Sequence, residues 1–306
     1  MKSQNIIALL LLMAVSGLQA QKKQTITYFK NDTLSLQLNL FLPEKASAKK
    51  LPLVLYVHGG GFSGGDRSAG DSPSKFLAQN GYAAATLSYT LYAKNKKYSC
   101  DGALPEKIKA FQHAVNDLWL ATSFFIDNQE KYNIDTSKIF ITGVSAGGET
   151  VLHAAFWDFK LMNMYSNTLP GNFRYAGLIS GAGAIMDLNL ITAENKIPMM
   201  LFHGNGDQTV PYGTAAHHYC PTNATGWLML FGSYSIYNDL IAKDGTVSLY
   251  TFCGGGHEYS GYLFEKDQKP MLDFLNDVMA GKKFQNHTII PTGKKNALSA
   301  AYHFCD

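Results

Sequence analysis

The chain has 306 residues, 46% of them hydrophobic and 16% charged, with a formal net charge of +3. That supplies apolar material for the core of one domain and argues against a disordered chain. The near balance of charge leaves no electrostatic case for nucleic acid, and the Lys49-Lys50 pair and the lysines over 94–97 read as solvated turns.

Residues 1–20 have the form of an export leader: Lys2, an apolar run over 6–15, and a small-residue end at Ala20. The run is shorter than the roughly 20 residues that cross a bilayer. The expectation is a mature chain from about Gln21, exported to the periplasm or beyond, with no membrane partner once the leader is removed. Residues 21–280 are expected to form one domain. The stretch 281–306 carries too little pattern for a structural prediction.

Apolar runs predict strands at 24–29, 34–41, 51–57, 82–89, 138–142, 175–180, 198–203 and 246–252. Between Pro105 and Asn128, the residues Ile108, Phe111, Val115, Leu118, Trp119 and Phe125 recur at helical spacing, with Pro105 suited to a first turn. Strands alternating with helices imply an α/β architecture with a mostly parallel, eight-stranded sheet flanked by helices. Loops leaving the carboxyl ends of its strands then gather on one edge.

The chemistry sits on those loops. The strand 51–57 runs into His58-Gly59-Gly60-Gly61-Phe62, where residues without a Cβ let main-chain N–H groups approach a developing oxyanion. The strand 138–142 runs into Gly143-Val144-Ser145-Ala146-Gly147, a turn that lifts the Ser145 hydroxyl clear of the sheet. The N–H groups of Gly60, Gly61 and Ala146 are the expected oxyanion hole. Downstream, Asp207 lies on the loop after 198–203, and His257 follows Gly254-Gly255-Gly256 after 246–252. His257 would take the proton of Ser145, with Asp207 fixing its tautomer.

Other candidates read differently. His58 would shape the glycine loop, His203 would serve the core, and His113 and His153 fall in helical patterns. His217 and His218 are expected near the pocket, whereas His287 and His303 lie in the weakly patterned tail. Glu149 falls in the first turn of the helix after Ser145, where a carboxylate suits the helix dipole. Glu258 is a weaker alternative acid, because sequence neighbours rarely face one another. His203, Asp207 and His257 could in principle meet around a metal, but no His-Glu-x-x-His or Cys-x-x-Cys spacing is present, and neither a metal nor a cofactor is expected. The stretches 89–103 and 157–173, rich in Tyr, Lys and Met, are candidates for pocket lining.

Four cysteines, Cys100, Cys220, Cys253 and Cys305, permit three complete pairings that sequence does not decide between. Cys220 and Cys253 follow the strands that carry the acid and the base, and we expect a bridge there.

The glycine loop 58–62, the pentapeptide 143–147, the loop 203–207 and Gly256-His257 together resemble the α/β-hydrolase superfamily, in its His-Gly-Gly-Gly esterase and lipase branch. The likeness runs over about 36–279. Secreted bacterial carboxylesterases, including those similar to acetylxylan and feruloyl esterases, look most alike. Val144 stands where such families often carry Asp before the nucleophile, which weakens the likeness to the hormone-sensitive-lipase branch. The resemblance implies a serine carboxylesterase working through an acyl-enzyme on a small-molecule or polysaccharide-linked ester. The alternatives are a serine peptidase on the same fold, disfavoured because no propeller-sized domain precedes the core, and an adhesion protein that has lost the chemistry.

Overall fold

The structure, a computed structural model, describes residues 23–44 and 48–305. The expected leader over 1–20 and the mature start near Gln21 lie outside the described residues. In chain order, β1 (Gln24–Lys30) and β2 (Ser35–Phe41) form a hairpin, followed by β3 (Leu51–Val57), α1 (Asp71–Gln79) and β4 (Ala83–Leu87). Then come α2 (Leu104–Asp127), α3 (Gln129–Tyr132), β5 (Ile134–Val144), α4 (Ala146–Phe156), α5 (Phe159–Met162), β6 (Gly177–Gly181) and the short β7 (Ala184–Ile185). The second half holds β8 (Met199–Gly204), β9 (Thr214–Ala216), β10 (Met229–Gly232), α6 (Ser233–Ala242), β11 (Val247–Cys253), α7 (Tyr262–Glu265), α8 (Lys269–Met279) and β12 (Gln285–Pro291).

Nine strands make one sheet in the order β1-β2-β4-β3-β5-β6-β8-β11-β12. β1 pairs antiparallel with β2, and β2 with β4; the remaining neighbours are parallel. Period two sorts each buried strand between two cores. Leu53, Leu55 and Val57 pack beneath Phe111, Val115 and Trp119 of α2 and Val151 of α4, while Val54 and Tyr56 face Leu77 of α1, Phe264 of α7 and Leu275 of α8. Burial on both faces is why these strands read as unbroken apolar runs.

The expected mostly parallel sheet is present, with nine strands where eight were predicted. The extra strand is β12, from the tail left without a prediction. At the sheet's edge its side chains are mostly exposed, so it lacks the apolar run that identifies a buried strand. A small sheet, β7-β10-β9, was also unforeseen; its strands have two to four residues, too short for periodicity to register. The helix predicted from Pro105 is α2, although it buries Lys107 completely and leaves Ile108 only half-buried.

The cysteine expectation is corrected. Cys100 bonds Cys220 and Cys253 bonds Cys305, with Cα separations of 5.2 and 5.6 Å. The loop after β4 packs against the loop after β9, where Gly226 N donates to Cys100 O at 3.0 Å, so Cys100 reaches Cys220 first. β12 then carries the tail back along β11 and presents Cys305 to Cys253.

Candidate active site

β5 ends at Val144 and α4 begins at Ala146, so Ser145 makes the turn alone, with φ 55° and ψ −124°. A side-chain-bearing residue held there costs about 1–3 kcal/mol and persists only where its surroundings enforce it. Ser145 N donates to Gly181 O at 2.7 Å, and Ser145 O accepts from Glu149 N at 2.9 Å. The flanking glycines are required by close approach. A Cβ on Gly143 would stand 2.2 Å from Gly147 O, and one on Gly147 would stand 2.1 Å from Val57 O.

β5, β8 and β11 lie on the same stretch of the sheet and run parallel, so their carboxyl ends bring Ser145, Asp207 and His257 together. Ser145 Oγ is 2.8 Å from His257 Nε2, and His257 Nδ1 is 2.7 Å from Asp207 Oδ2. Asp207 is fully buried, and Oδ1 accepts from Thr209 N at 2.7 Å and Val210 N at 3.1 Å. Burial alone would raise its carboxyl pKa, but hydrogen bonds from His203 and His257 outweigh it and hold the group well below the usual carboxylate range. An ionised Asp207 fixes the His257 proton on Nδ1, leaving Nε2 to accept from the Ser145 hydroxyl.

His203 has a role beyond the core. Its Nε2 lies 3.1 Å from the same Asp207 Oδ2 and its Nδ1 lies 3.0 Å from Ser233 Oγ. His203 thus joins Asp207 and His257 through one shared carboxylate oxygen. Spacing hinted at this, since a strand-end histidine four residues before a loop carboxylate can fold back on it.

On the glycine loop 58–62, Gly60 has φ 113°, and a Cβ there would meet Gly64 O at 2.3 Å. The Gly60 carbonyl turns into the loop, accepting from Ser63 N and Gly64 N. His58 shapes this loop as expected: it is buried, Nδ1 donates to Gly59 O at 2.6 Å, and the ring stacks on Tyr89. Gly60, Gly61, Ala146, Ser145 and His257 line one cavity of about 470 Å³. Glu258 lines the same cavity but is not the partner of His257 Nδ1; Lys294 Nζ donates to its Oε1 at 2.5 Å.

The deep wall of that cavity is formed by Tyr98, Glu149, His217 and His218. His217 and His218 were expected near the pocket, and the stretch 89–103 contributes Tyr98. The stretch 157–173 packs on α2 instead: Met162 O accepts from Asn116 Nδ2 and Tyr165 Oη donates to Asp117 Oδ1. Glu149 departs from the dipole argument. It is 1% exposed, and burial pushes its carboxyl well above the ordinary range despite the pull of Lys107. Burial likewise keeps His217 well below its ordinary value and lowers His218 to about 4. Burial thus works against the charged form of each of these three groups.

The BD-FAE family model matches residues 38–190, half of the chain, a span that includes the glycine loop 58–62 and Ser145. The juvenile hormone esterase of Tribolium castaneum is 26% identical over 153 residues, 50% of this chain and 23% of that protein. The fumonisin B1 esterase of Sphingopyxis macrogoltabida is 26% identical over 123 residues, 38% of this chain and 22% of that protein. The chain thus spans less than a quarter of the length of these two curated relatives. Among solved structures, a thermophilic esterase of Thermogutta terrifontis superposes with a TM-score of 0.62 at 15% identity, covering 85% of this chain and 92% of that one. This likeness establishes the α/β-hydrolase fold.

Proposed function

The chain belongs to the BD-FAE family, and from that premise we propose that it is an exported serine carboxylesterase acting through an acyl-enzyme. The observation that carries this reading is the hydrogen-bonded chain from Ser145 Oγ through both ring nitrogens of His257 to Asp207. In the proposed cycle His257 Nε2 takes the hydroxyl proton as Ser145 Oγ attacks the ester carbonyl. The oxyanion is held by the N–H groups of Gly60, Gly61 and Ala146, each such donor contributing roughly 2.7–4 kcal/mol. The imidazolium, stabilised by Asp207, returns the proton to the leaving alcohol, and water activated by His257 releases the acid.

Export is supported by the leader-like residues 1–20 and by two disulfides, which persist in oxidising compartments. The substrates we propose are short acyl, acetyl or feruloyl esters, including those carried on polysaccharides, in keeping with an exported enzyme of this fold. The test is hydrolysis of p-nitrophenyl acetate by the purified protein, alongside labelling by a fluorophosphonate. Turnover and labelling are both expected to vanish in Ser145→Ala while the circular dichroism spectrum is kept. Turnover retained by that variant would overturn the proposal, and cleavage of peptide amides in preference to esters would favour the peptidase.

A further inference from the structure

The loops that carry Asp207 and His257 leave the adjacent parallel strands β8 and β11, whose register ends where Gly204 lies beside Phe252. Past that pair two main-chain hydrogen bonds continue the contact, Asn205 N to Phe252 O at 3.2 Å and Gly206 N to Gly255 O at 2.8 Å. The base loop is the more pliable of the two by composition. Three glycines in a row, Gly254, Gly255 and Gly256, precede His257, and glycine loses more conformational freedom on ordering than any other residue. Crowding demands at least the first of them: a Cβ on Gly254, at φ 75°, would stand 1.9 Å from Lys294 O. A histidine hung from such a segment keeps its place only if something outside the segment holds it.

Asn205 supplies that hold. Its side chain is 1% exposed and lies between the two loops: Oδ1 accepts from Gly254 N at 2.7 Å, and Nδ2 donates to Cys305 Sγ, in the bridge to Cys253, at 3.1 Å. Gly254 N can only donate, so the atom facing it is the amide oxygen and the orientation of the side chain is fixed. The tie joins the residue two before Asp207 to the residue three before His257. Asn205 does not line the cavity beside Ser145.

We propose that Asn205 is a positioning residue for the reaction, one that sets the 2.7 Å contact of His257 Nδ1 with Asp207 Oδ2 by tying the base loop to the acid loop, a role that rests on the reading of Ser145, His257 and Asp207 as the hydrolytic triad. Second-shell side chains of this kind hold a reacting group in its productive geometry, and a displacement of about 1 Å costs on the order of 100-fold in rate. Loss of Asn205 acts on the imidazole, and so on kcat, while the walls of the cavity stay in place.

The test compares Asn205→Leu, which fills the space and accepts no hydrogen bond, with Asn205→Asp, which keeps an oxygen for Gly254 N whether or not it is protonated. In hydrolysis of p-nitrophenyl acetate, Asn205→Leu should lower kcat by about tenfold or more with KM within about threefold of wild type, and Asn205→Asp should recover most of that loss. The proton between His257 Nδ1 and Asp207 Oδ2, read by 1H NMR downfield of the backbone amides, should broaden or move upfield in Asn205→Leu and return in Asn205→Asp. A merely structural role would lower Tm and leave kcat and that resonance where they are. Wild-type kcat with an unchanged resonance in Asn205→Leu, or Asn205→Asp as impaired as Asn205→Leu, overturns the assignment. One measurement needs no variant: in the wild type the Gly254 amide hydrogen should exchange at least about 100-fold more slowly than an open amide, and unprotected exchange overturns the assignment even if neither variant folds. The resonance and the exchange rate are read without substrate. A protein that turns over no ester but shows the shift in Asn205→Leu therefore sinks the esterase reading alone, and an active esterase indifferent to Asn205→Leu sinks the positioning role alone.

Discussion

His203 and His257 share one acceptor, Asp207 Oδ2, at 3.1 and 2.7 Å, so a buried imidazole of β8 braces the carboxylate that orients the imidazole facing Ser145. Asp207→Asn is expected to cut kcat by about four orders of magnitude, because the amide no longer enforces the His257 tautomer. His203→Leu should leave the chain folded and lower kcat/KM by about tenfold, the scale of one hydrogen bond to a charged group. Steady-state kinetics on both variants check this; a His203→Leu enzyme at wild-type rate would remove the bracing role.

Asp207 also sets an acid limit on stability. Its folded pKa lies below the unfolded value near 3.9, so the unfolded chain takes up the proton first. The contribution is complete above about pH 5 and is lost as pH falls through 3.9 towards the folded pKa. The gap in urea midpoint between wild type and Asp207→Asn should therefore be widest at pH 7 and narrow by pH 3. A gap that widens on acidification would contradict the assigned direction.

Glu149 has the opposite sign. Its folded pKa is raised, so between the unfolded value near 4.3 and the folded one the native state holds a proton that the unfolded chain releases. Stability from this group falls as pH rises through that window. Glu149→Gln, which cannot lose a proton, should gain stability relative to wild type on going from pH 5 to pH 8, read from denaturant midpoints at the two pH values.

The turn at Ser145 tolerates no side chain at Gly147. With Val57 O only 2.1 Å from the added atom, Gly147→Ala must displace either β3 or α4, and a loss of about 3 kcal/mol or more is expected. Gly171→Ala, where nothing lies within 4 Å, is the matched control and should change Tm little. Thermal unfolding of the pair decides it.

Non-reducing peptide maps should show Cys100 linked to Cys220 and Cys253 linked to Cys305. The bridges close loops with sequence separations of 120 and 52, and in the chain-entropy account each stabilises by about 4–5 kcal/mol. Cys305→Ser should lower Tm and loosen the loop of His257, which directly follows the bridged end of β11, raising KM as well.

Residues 51–57, 139–141 and 199–202 announce the sheet because strands buried on both faces must be apolar throughout, and Gly143, Ser145 and Gly147 announce the turn because its backbone excludes other side chains. These are local demands, legible wherever the residues occur. The exposed edge strand β12, the two-residue β7, the disulfide partners and the shared oxygen of Asp207 follow from contacts between segments distant along the chain. Glu149 is the clearest case: in sequence it is a carboxylate in a first helical turn, and only its burial in the assembled fold raises its carboxyl pKa. Local sterics write themselves into sequence, whereas solvation belongs to the assembled fold.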